Sequence, residues 1–262
     1  MRLQDKAIII TGSTIGIGEA TALRCLKEGA KVLIHGRDRD RAEAIVKAHA
    51  GRAAMHIDVL DDPEAPKRIV EATLQAFGKI DAVVNNAAWV MRSDIYNTDA
   101  ATFDRVMAIN VRAPMLLIQA ALPHLKQSKG AVLNIGSMNA YSGEGNLLAY
   151  SVSKGALMTL TRNLADYLIH DQVRVYQFNV GWVLTPNEYQ YKLKDGLAKD
   201  WPENIDPTFA PSGRLIKPEE IAAATVYWLS DESRPISGSI IDMEQYPNIG
   251  RNPTKRGDDT KN

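Results

Sequence analysis

The chain has few of the features that mark secreted, membrane-spanning or nucleic-acid-binding proteins. One cysteine, Cys25, occurs in 262 residues, so no intrachain disulfide can form and a reducing compartment is expected. Neither sign of charge is in excess. Lys plus Arg number 31 and Asp plus Glu number 31, which leaves no global field to draw the protein to nucleic acid or anionic lipid. No apolar run in the sequence approaches the roughly 18 residues of a membrane span, so no membrane partner is expected. Residues 1–6 lead into an apolar stretch too brief for that of a signal peptide, and a cytoplasmic location is the expectation. What is present, 45% hydrophobic and 24% charged residues, is an ordinary globular composition, long enough to bury a sizeable core.

Short β-branched runs alternate with longer amphipathic stretches. Strands are predicted over residues 6–12, 31–36, 53–59, 81–87, 131–137, 173–181 and 238–243. Several are apolar at consecutive positions, as in Ala7-Ile8-Ile9-Ile10, which suits strands covered on both faces. Between them lie helix-length segments with apolar spacing of three or four, such as Ala20, Leu23 and Leu26, or Leu157, Leu160, Leu164 and Leu168. Strand and helix repeated this often predict an α/β fold, a single-domain parallel sheet with helices on both faces. Two regions break the rhythm. Residues 182–217 form a proline-rich insertion ahead of a helix opened by Pro218-Glu219-Glu220, and a connection of that length reads as a lid. Residues 1–245 then make up the domain. Residues 246–262 are a polar tail, read as a frayed terminus or as an arm that packs on a neighbouring subunit.

The first predicted strand runs into Thr11-Gly12-Ser13-Thr14-Ile15-Gly16-Ile17-Gly18, with a helix pattern following. Glycines let the backbone turn sharply and approach a pyrophosphate, and the helix N-terminus offers unpaired N–H groups. The spacing Gly-x-x-x-Gly-x-Gly has one residue more between its first two glycines than the usual dinucleotide fingerprint.

These residues resemble the cofactor turn of the classical short-chain dehydrogenase/reductase family. Asn85-Asn86-Ala87-Ala88 is similar to that family's Asn-Asn-Ala-Gly, Tyr150-Ser151-Val152-Ser153-Lys154 to its Tyr-x-x-x-Lys, and Asn179-Val180-Gly181-Trp182-Val183-Leu184-Thr185 to its Asn-Pro-Gly-x-x-x-Thr. The resemblance covers about residues 3–243 and implies a Rossmann-type, doubly wound sheet of seven parallel strands. It also implies a homo-oligomer, a tetramer or dimer. Three departures stand out. Val180 occupies the proline position, Ala88 replaces a glycine and is tolerated only where no positive φ is needed, and the paired glycines common after the last strand are absent from Asp242-Met243-Glu244-Gln245.

An NAD site wants a carboxylate at the end of the second strand, and an NADP site wants a cation for the 2′-phosphate. Here the family's acidic position falls on Gly36, and Arg37 follows with a guanidinium suited to a phosphate. NADP(H) is therefore favoured over NAD(H). The resemblance places Asp58 and Val59 beside the adenine, Asn86, Ala87 and Ala88 along the central ribose, and Gly181, Val183 and Thr185 by the carboxamide and phosphates.

Tyr150 and Lys154, four apart on a predicted helix, leave it on one face. About half such a pair is expected by chance in a chain of this composition, so the spacing proves little alone. Ser137, thirteen residues upstream at the end of a buried-strand pattern, makes the set specific. A free phenol, with a pKa near ~10, is a poor base at neutral pH, and a nearby ammonium together with the positive oxidised nicotinamide is expected to lower that value. Tyr150 would then exchange the alcohol proton, Ser137 would orient the substrate oxygen, and the cofactor would carry the hydride. By resemblance Lys154 also holds the nicotinamide ribose, and the Asn110 backbone holds a water linking Lys154 to solvent. The five histidines show no metal-type spacing, so no metal is expected.

By resemblance, the substrate faces Ser137, Met138, Asn139, Glu144, Tyr150, Trp182, Asn187, Glu188 and Tyr189. Their hydrogen-bonding groups, with Trp182 as a platform for a sugar ring, favour a sugar, a polyol or a related hydroxy or keto acid. A 3-oxoacyl or other carbonyl reductase is the alternative among enzymes. A dinucleotide sensor without turnover is the alternative outside them, although it would be expected to have lost Ser137, Tyr150 or Lys154. A nucleic-acid scaffold is disfavoured by the charge balance.

Overall fold

The computed structural model describes residues 1–246. Seven strands form one sheet in the order β3-β2-β1-β4-β5-β6-β7, with every neighbouring pair parallel. They are β1 Ala7–Ile10, β2 Lys31–Gly36, β3 Ala53–Ile57, β4 Ala82–Asn85, β5 Ala131–Ile135, β6 Arg174–Val180 and β7 Ile240–Met243. All seven predicted strands are present, mostly one or two residues shorter at their ends.

The consecutive apolar residues of β1 divide between two faces because side chains alternate along a strand. Ile8 and Ile10 join Val32, Ile34 and Val84 in one core layer, while Ile9 joins Leu33 and Val83 in the other. Helices α1 Gly16–Lys27, α2 Arg39–Ala48 and, near the C-terminus, Pro218–Leu229 contribute to the first layer. Helices α3 Ala65–Phe77, α5 Ala113–Ser128 and α7 Leu148–Tyr167 contribute to the second. Helix α4 Ala100–Met107 precedes α5, the one-turn α6 Asn139–Ser142 precedes α7, and α8 Pro186–Lys194 lies in the insertion, so that Pro218–Leu229 is α9. On α1 the buried side is Thr21, Ala22, Cys25 and Leu26, whereas Leu23, expected inside, is exposed.

Helices α4 and α5 are joined without a break by a π-helical segment, Ala108–Arg112. The resulting run, Ala100–Ser128, has 29 residues and contains an 18-residue window of mean hydropathy 1.4, so by length and composition alone it is apolar enough to cross a membrane, although polar residues interrupt it. Its apolar face instead covers the sheet, with Leu117, Ile118, Ala121 and Leu125 buried against the second core layer.

The insertion is built around its own small core. Trp201, Ala210 and Leu215 are buried there, with Trp182, Leu184, Tyr189, Leu193 and Ile205 packed on them. Of the tail over residues 246–262, only Tyr246 falls among the described residues.

Candidate active site

The C-terminal ends of the strands bring the predicted motifs together. Sheet order reverses at β1 and β4, which is where ligands bind in open α/β sheets. The loops after both strands interlock at that point. The Asn86 amide donates to the Thr11 and Gly12 carbonyls (2.9 and 3.1 Å), and the Thr11 hydroxyl accepts from the Asn86 and Ala87 amides (3.0 and 3.1 Å). Gly12 has φ +65° and sits so close that a Cβ would lie 2.9 Å from Ala87 Cα, and a Cβ on Gly18 would collide with the Gly12 carbonyl oxygen. Helix α1 begins at Ile15 with no side-chain cap, so its first N–H groups face the turn unclaimed by any side chain. Backbone held open by glycines, at an uncapped helix N-terminus, fits the diphosphate of a dinucleotide.

Other turn residues serve the scaffold. The Ser13 hydroxyl is buried, donates to the Ile10 carbonyl at 2.8 Å and accepts from the His35 amide at 2.9 Å. Thr14 packs against Gly36, Ile17 joins the core and Ile15 is exposed. The methyl of Thr185 lies against Gly16, which brings the insertion to the same turn. Ala88 does not take a positive φ, so its replacement of glycine carries no strain. Val183 is buried and pairs with Ile216. Asp58 is tied up. Its carboxylate accepts from Arg68 at 2.8 and 3.0 Å and meets His56 at 3.1 Å, and the Arg68 bond in particular holds it far below the usual carboxylate range. Val59 beside it is half-exposed. Arg37 is exposed at the end of β2, and the Asp38 carboxylate accepts from the Arg41 amide as the N-cap of α2.

A cleft of about 690 Å³ opens beside these loops. Ser137, which follows β5, and Tyr150, in the first turn of α7, both line it. Burial pushes the Tyr150 phenol up to about 12, the hydrogen bond from Ser137 acts in the opposite sense, and the Glu188 and Glu144 carboxylates raise it further. In the chain by itself, burial first and the two carboxylates after it hold the phenol above its ordinary value; the expected lowering invoked an oxidised nicotinamide beside the ammonium. Lys154 lies one turn further along α7, buried, with Nζ donating to the Ile135 carbonyl at 2.6 Å and 5.5 Å from the Tyr150 ring centroid. Burial lowers its pKa to about 8. Asn110 sits in the π-helical segment. Its side chain accepts from the Trp89 amide (2.7 Å) and donates to the Trp89 carbonyl and Ser153 hydroxyl (3.1 and 3.0 Å), so it fastens a wall of the cleft from behind.

Of the expected substrate positions, Met138, Asn139, Glu144, Trp182 and Glu188 also line the cleft, and Gly181 does so among the cofactor positions. Asn187 and Tyr189 do not. Asn187 is exposed, while Tyr189 stacks on Trp201 and donates its hydroxyl to the Lys199 carbonyl at 3.0 Å. Tyr191, two residues on and therefore on the opposite side of α8, faces the cleft instead. The Trp182 ring stacks on Trp201 (5.7 Å), has Lys192 Nζ 5.1 Å from its centroid and donates Nε1 to Glu188 at 2.7 Å, so its faces are engaged within the insertion. Sequence reasoning missed the wall formed by Trp89, Val90, Met91 and Arg92, and Glu244 beyond β7. The available signal was position, since both segments follow directly on strand ends that the site already used. Among the described residues, no group of three or more His, Cys, Asp or Glu is placed to hold a metal ion.

Comparison with known proteins agrees with this geometry. Residues 12–245 match a family described as enoyl-(acyl carrier protein) reductase. An uncharacterized oxidoreductase of Thermotoga maritima is 34% identical over 93% of this chain and 98% of its own length. The NADP-dependent (R)-specific alcohol dehydrogenase of Lentilactobacillus kefiri is 31% identical over 91% of this chain and 94% of its own. A crystal structure of 3-ketoacyl-(acyl-carrier-protein) reductase from Brucella melitensis complexed with NADH superposes with a TM-score of 0.80 at 30% identity, covering 92% of this chain and 97% of that one.

Proposed function

Because the chain belongs to the classical short-chain dehydrogenase/reductase family, we propose that it interconverts a secondary alcohol and a ketone on a sugar, polyol or other hydroxylated small molecule, with NADP(H) preferred. Membership makes it an oxidoreductase acting on alcohol or ketone groups with a nicotinamide cofactor; the substrate class and the preference are our reading. The observation that carries it is the meeting of Ser137 and Tyr150 on one cleft with the Lys154 ammonium buried behind the phenol.

In this reading the cofactor would be held by the turn at Gly12, Gly16 and Gly18 together with Asn86, Ala87, Ala88, Gly181, Val183 and Thr185. When bound there it supplies or accepts the hydride. The chain's own residues handle the proton. In reduction, Tyr150 Oη gives its proton to the ketone oxygen as the alcohol forms, and Ser137 Oγ–H holds that oxygen in place. In oxidation the same atoms run in reverse, and the Tyr150 phenolate takes the alcohol proton to become the phenol. Lys154 holds positive charge behind the ring and favours the phenolate whenever it forms.

Two observations support the finer choices. Arg37 is exposed at the end of β2 and forms no ion pair among the described residues, Gly36 offers no carboxylate, and Asp38 is engaged as a cap. The cleft is lined by Asn139, Glu144, Asn146, Glu188 and Glu244, more polar groups than an acyl chain would need. The test follows nicotinamide absorbance with NADPH, NADH and their oxidised forms against sugars, polyols and 3-oxoacyl thioesters. Turnover of the hydroxylated compounds with NADP(H) is the expected result. Turnover of the thioesters alone would give the substrate to the alternative. Cofactor binding with no turnover would identify a sensor. Tyr150→Phe should lower the rate at least ~10²-fold while cofactor affinity stays close to that of the wild type.

A further inference from the structure

Beneath the cleft floor, the sheet carries a continuous run of polar side chains in its interior. Asn85 Nδ2 donates to Asn134 Oδ1 (2.8 Å), Asn134 Nδ2 donates to Thr161 Oγ1 (2.8 Å), and the single Thr161 hydroxyl proton is shared between the Leu157 carbonyl (2.9 Å) and Gln177 Oε1 (3.0 Å). Gln177 Nε2 then donates to Asn179 Oδ1 at 2.7 Å. The run crosses from β4 through β5 and α7 to β6, and no residue in it is more than 3% exposed. Buried groups of this kind are costly to leave unpaired, and a hydrogen-bonded network of them stiffens the core that contains it.

The stiff end of this ladder presses on the residue before Ser137. A Cβ on Gly136 would collide with Asn179 Oδ1 and lie 2.5 Å from Gln177 Nε2. Backbone bonds strap the same segment to β6, with the Gly136 amide donating to the Phe178 carbonyl (2.6 Å) and the Met138 amide to the Val180 carbonyl (3.1 Å). Ser137 therefore hangs between two straps on a strand whose buried amides face its predecessor.

We propose that Gln177 is a positioning residue for Ser137: by fixing Asn179 beneath Gly136 it sets where the serine hydroxyl meets the substrate oxygen. The inference rests on the reading of Ser137 and Tyr150 as the pair that handles that oxygen. Gln177 touches neither substrate nor cofactor, so its effect passes entirely through the backbone at residues 136 and 137. A displacement of about 1 Å at such a group is enough to cost ~10²-fold in rate.

The test is Gln177→Met, which keeps the volume and removes both hydrogen bonds, with Gln177→Asn as the milder variant should the first fail to fold. We expect kcat to fall at least ~10-fold, the dissociation constant for NADPH to stay within about twofold, and Ser137 Oγ to be displaced by more than ~0.5 Å in a crystal structure of the variant. In a Ser137→Ala background, Gln177→Met should cost little more, because the group it positions is gone. A lowered melting temperature with kcat unchanged and Ser137 in place would overturn the proposal. So would an equal loss of rate with and without Ser137. If the wild-type enzyme turned over nothing, that would count against the proposed function, while the position of Ser137 Oγ would still decide this inference.

Discussion

Lys154 Nζ donates to the main-chain carbonyl of Ile135 at 2.6 Å, and that bond anchors the ammonium at the end of β5 behind the Tyr150 ring. Burial acts on the two groups in opposite directions, pushing the phenol up to about 12 and the ammonium down to about 8. Both shifts favour the neutral form of the group concerned. In the free enzyme, Tyr150 is thus a proton donor at neutral pH and a scarce base.

The pH dependence of the two directions should therefore differ. Ketone reduction uses the protonated phenol, so its kcat/KM should be level through neutral pH and fall as Lys154 loses its proton near pH 8. Alcohol oxidation needs the phenolate beside the ammonium, so its kcat/KM should climb with pH through neutrality and level off as Lys154 loses its proton near pH 8. Measuring both directions across pH checks this. Oxidation already at its plateau at neutral pH would contradict the raised phenol.

Glu188 and Glu144 each add to the upward shift of Tyr150. Glu188→Gln removes a negative charge while keeping an oxygen that can accept from Trp182 Nε1. The phenol should become more acidic, and the rising limb of the oxidation profile should move to lower pH. Glu144→Gln should move it the same way. High salt should shrink both displacements, because the cleft is open to solvent and screening reaches it.

In the proposed function, Arg37 selects the cofactor. A charge-assisted hydrogen bond to a phosphate contributes roughly 1.5–3 kcal/mol, so Arg37→Ala should raise the KM for NADPH by about ten- to a hundredfold. The KM for NADH should change little. An equal rise for both would mean that the side chain supports the turn in general and does not read the 2′-phosphate.

Most of the fold was legible because buried parallel strands require apolar residues at consecutive positions, and Ala7-Ile8-Ile9-Ile10 or Ala82-Val83-Val84 can satisfy no other arrangement as well. Ser137, Tyr150 and Lys154 were legible for a related reason: a strand end and a helical repeat fix where such side chains emerge. The hydrogen bonds of Asn134, Gln177 and Asn179 were not, since a strand pattern places these amides without saying which of them pair in the interior. The choice between Tyr189 and Tyr191 depends on the rotation of α8, which composition does not reveal. The direction of the Tyr150 shift was hidden for the same reason. It depends first on burial of the phenol and then on Glu188, which lies 38 residues away in the insertion, and both arise only on folding.

Arg92, in the wall that follows β4, meets Asp195 at the end of α8 at 2.5 Å, which ties the insertion to the opposite side of the cleft. Both side chains are partly exposed, and such pairs contribute about 0.2–1 kcal/mol. If the pair holds the insertion over the bound substrate, Asp195→Asn should raise the substrate KM by about two- to fivefold, with little change in the KM for NADPH. Raising the ionic strength should weaken substrate binding in the wild type and leave the variant nearly unaffected, since the variant has no pair left to screen. Limited proteolysis gives an independent measure: cleavage within residues 182–217 should be faster in Asp195→Asn, and substrate should slow it less than in the wild type. Identical salt dependence and identical cleavage in the two proteins would mean that the insertion is held by its Trp182–Trp201 core alone, with the ion pair contributing nothing to closure.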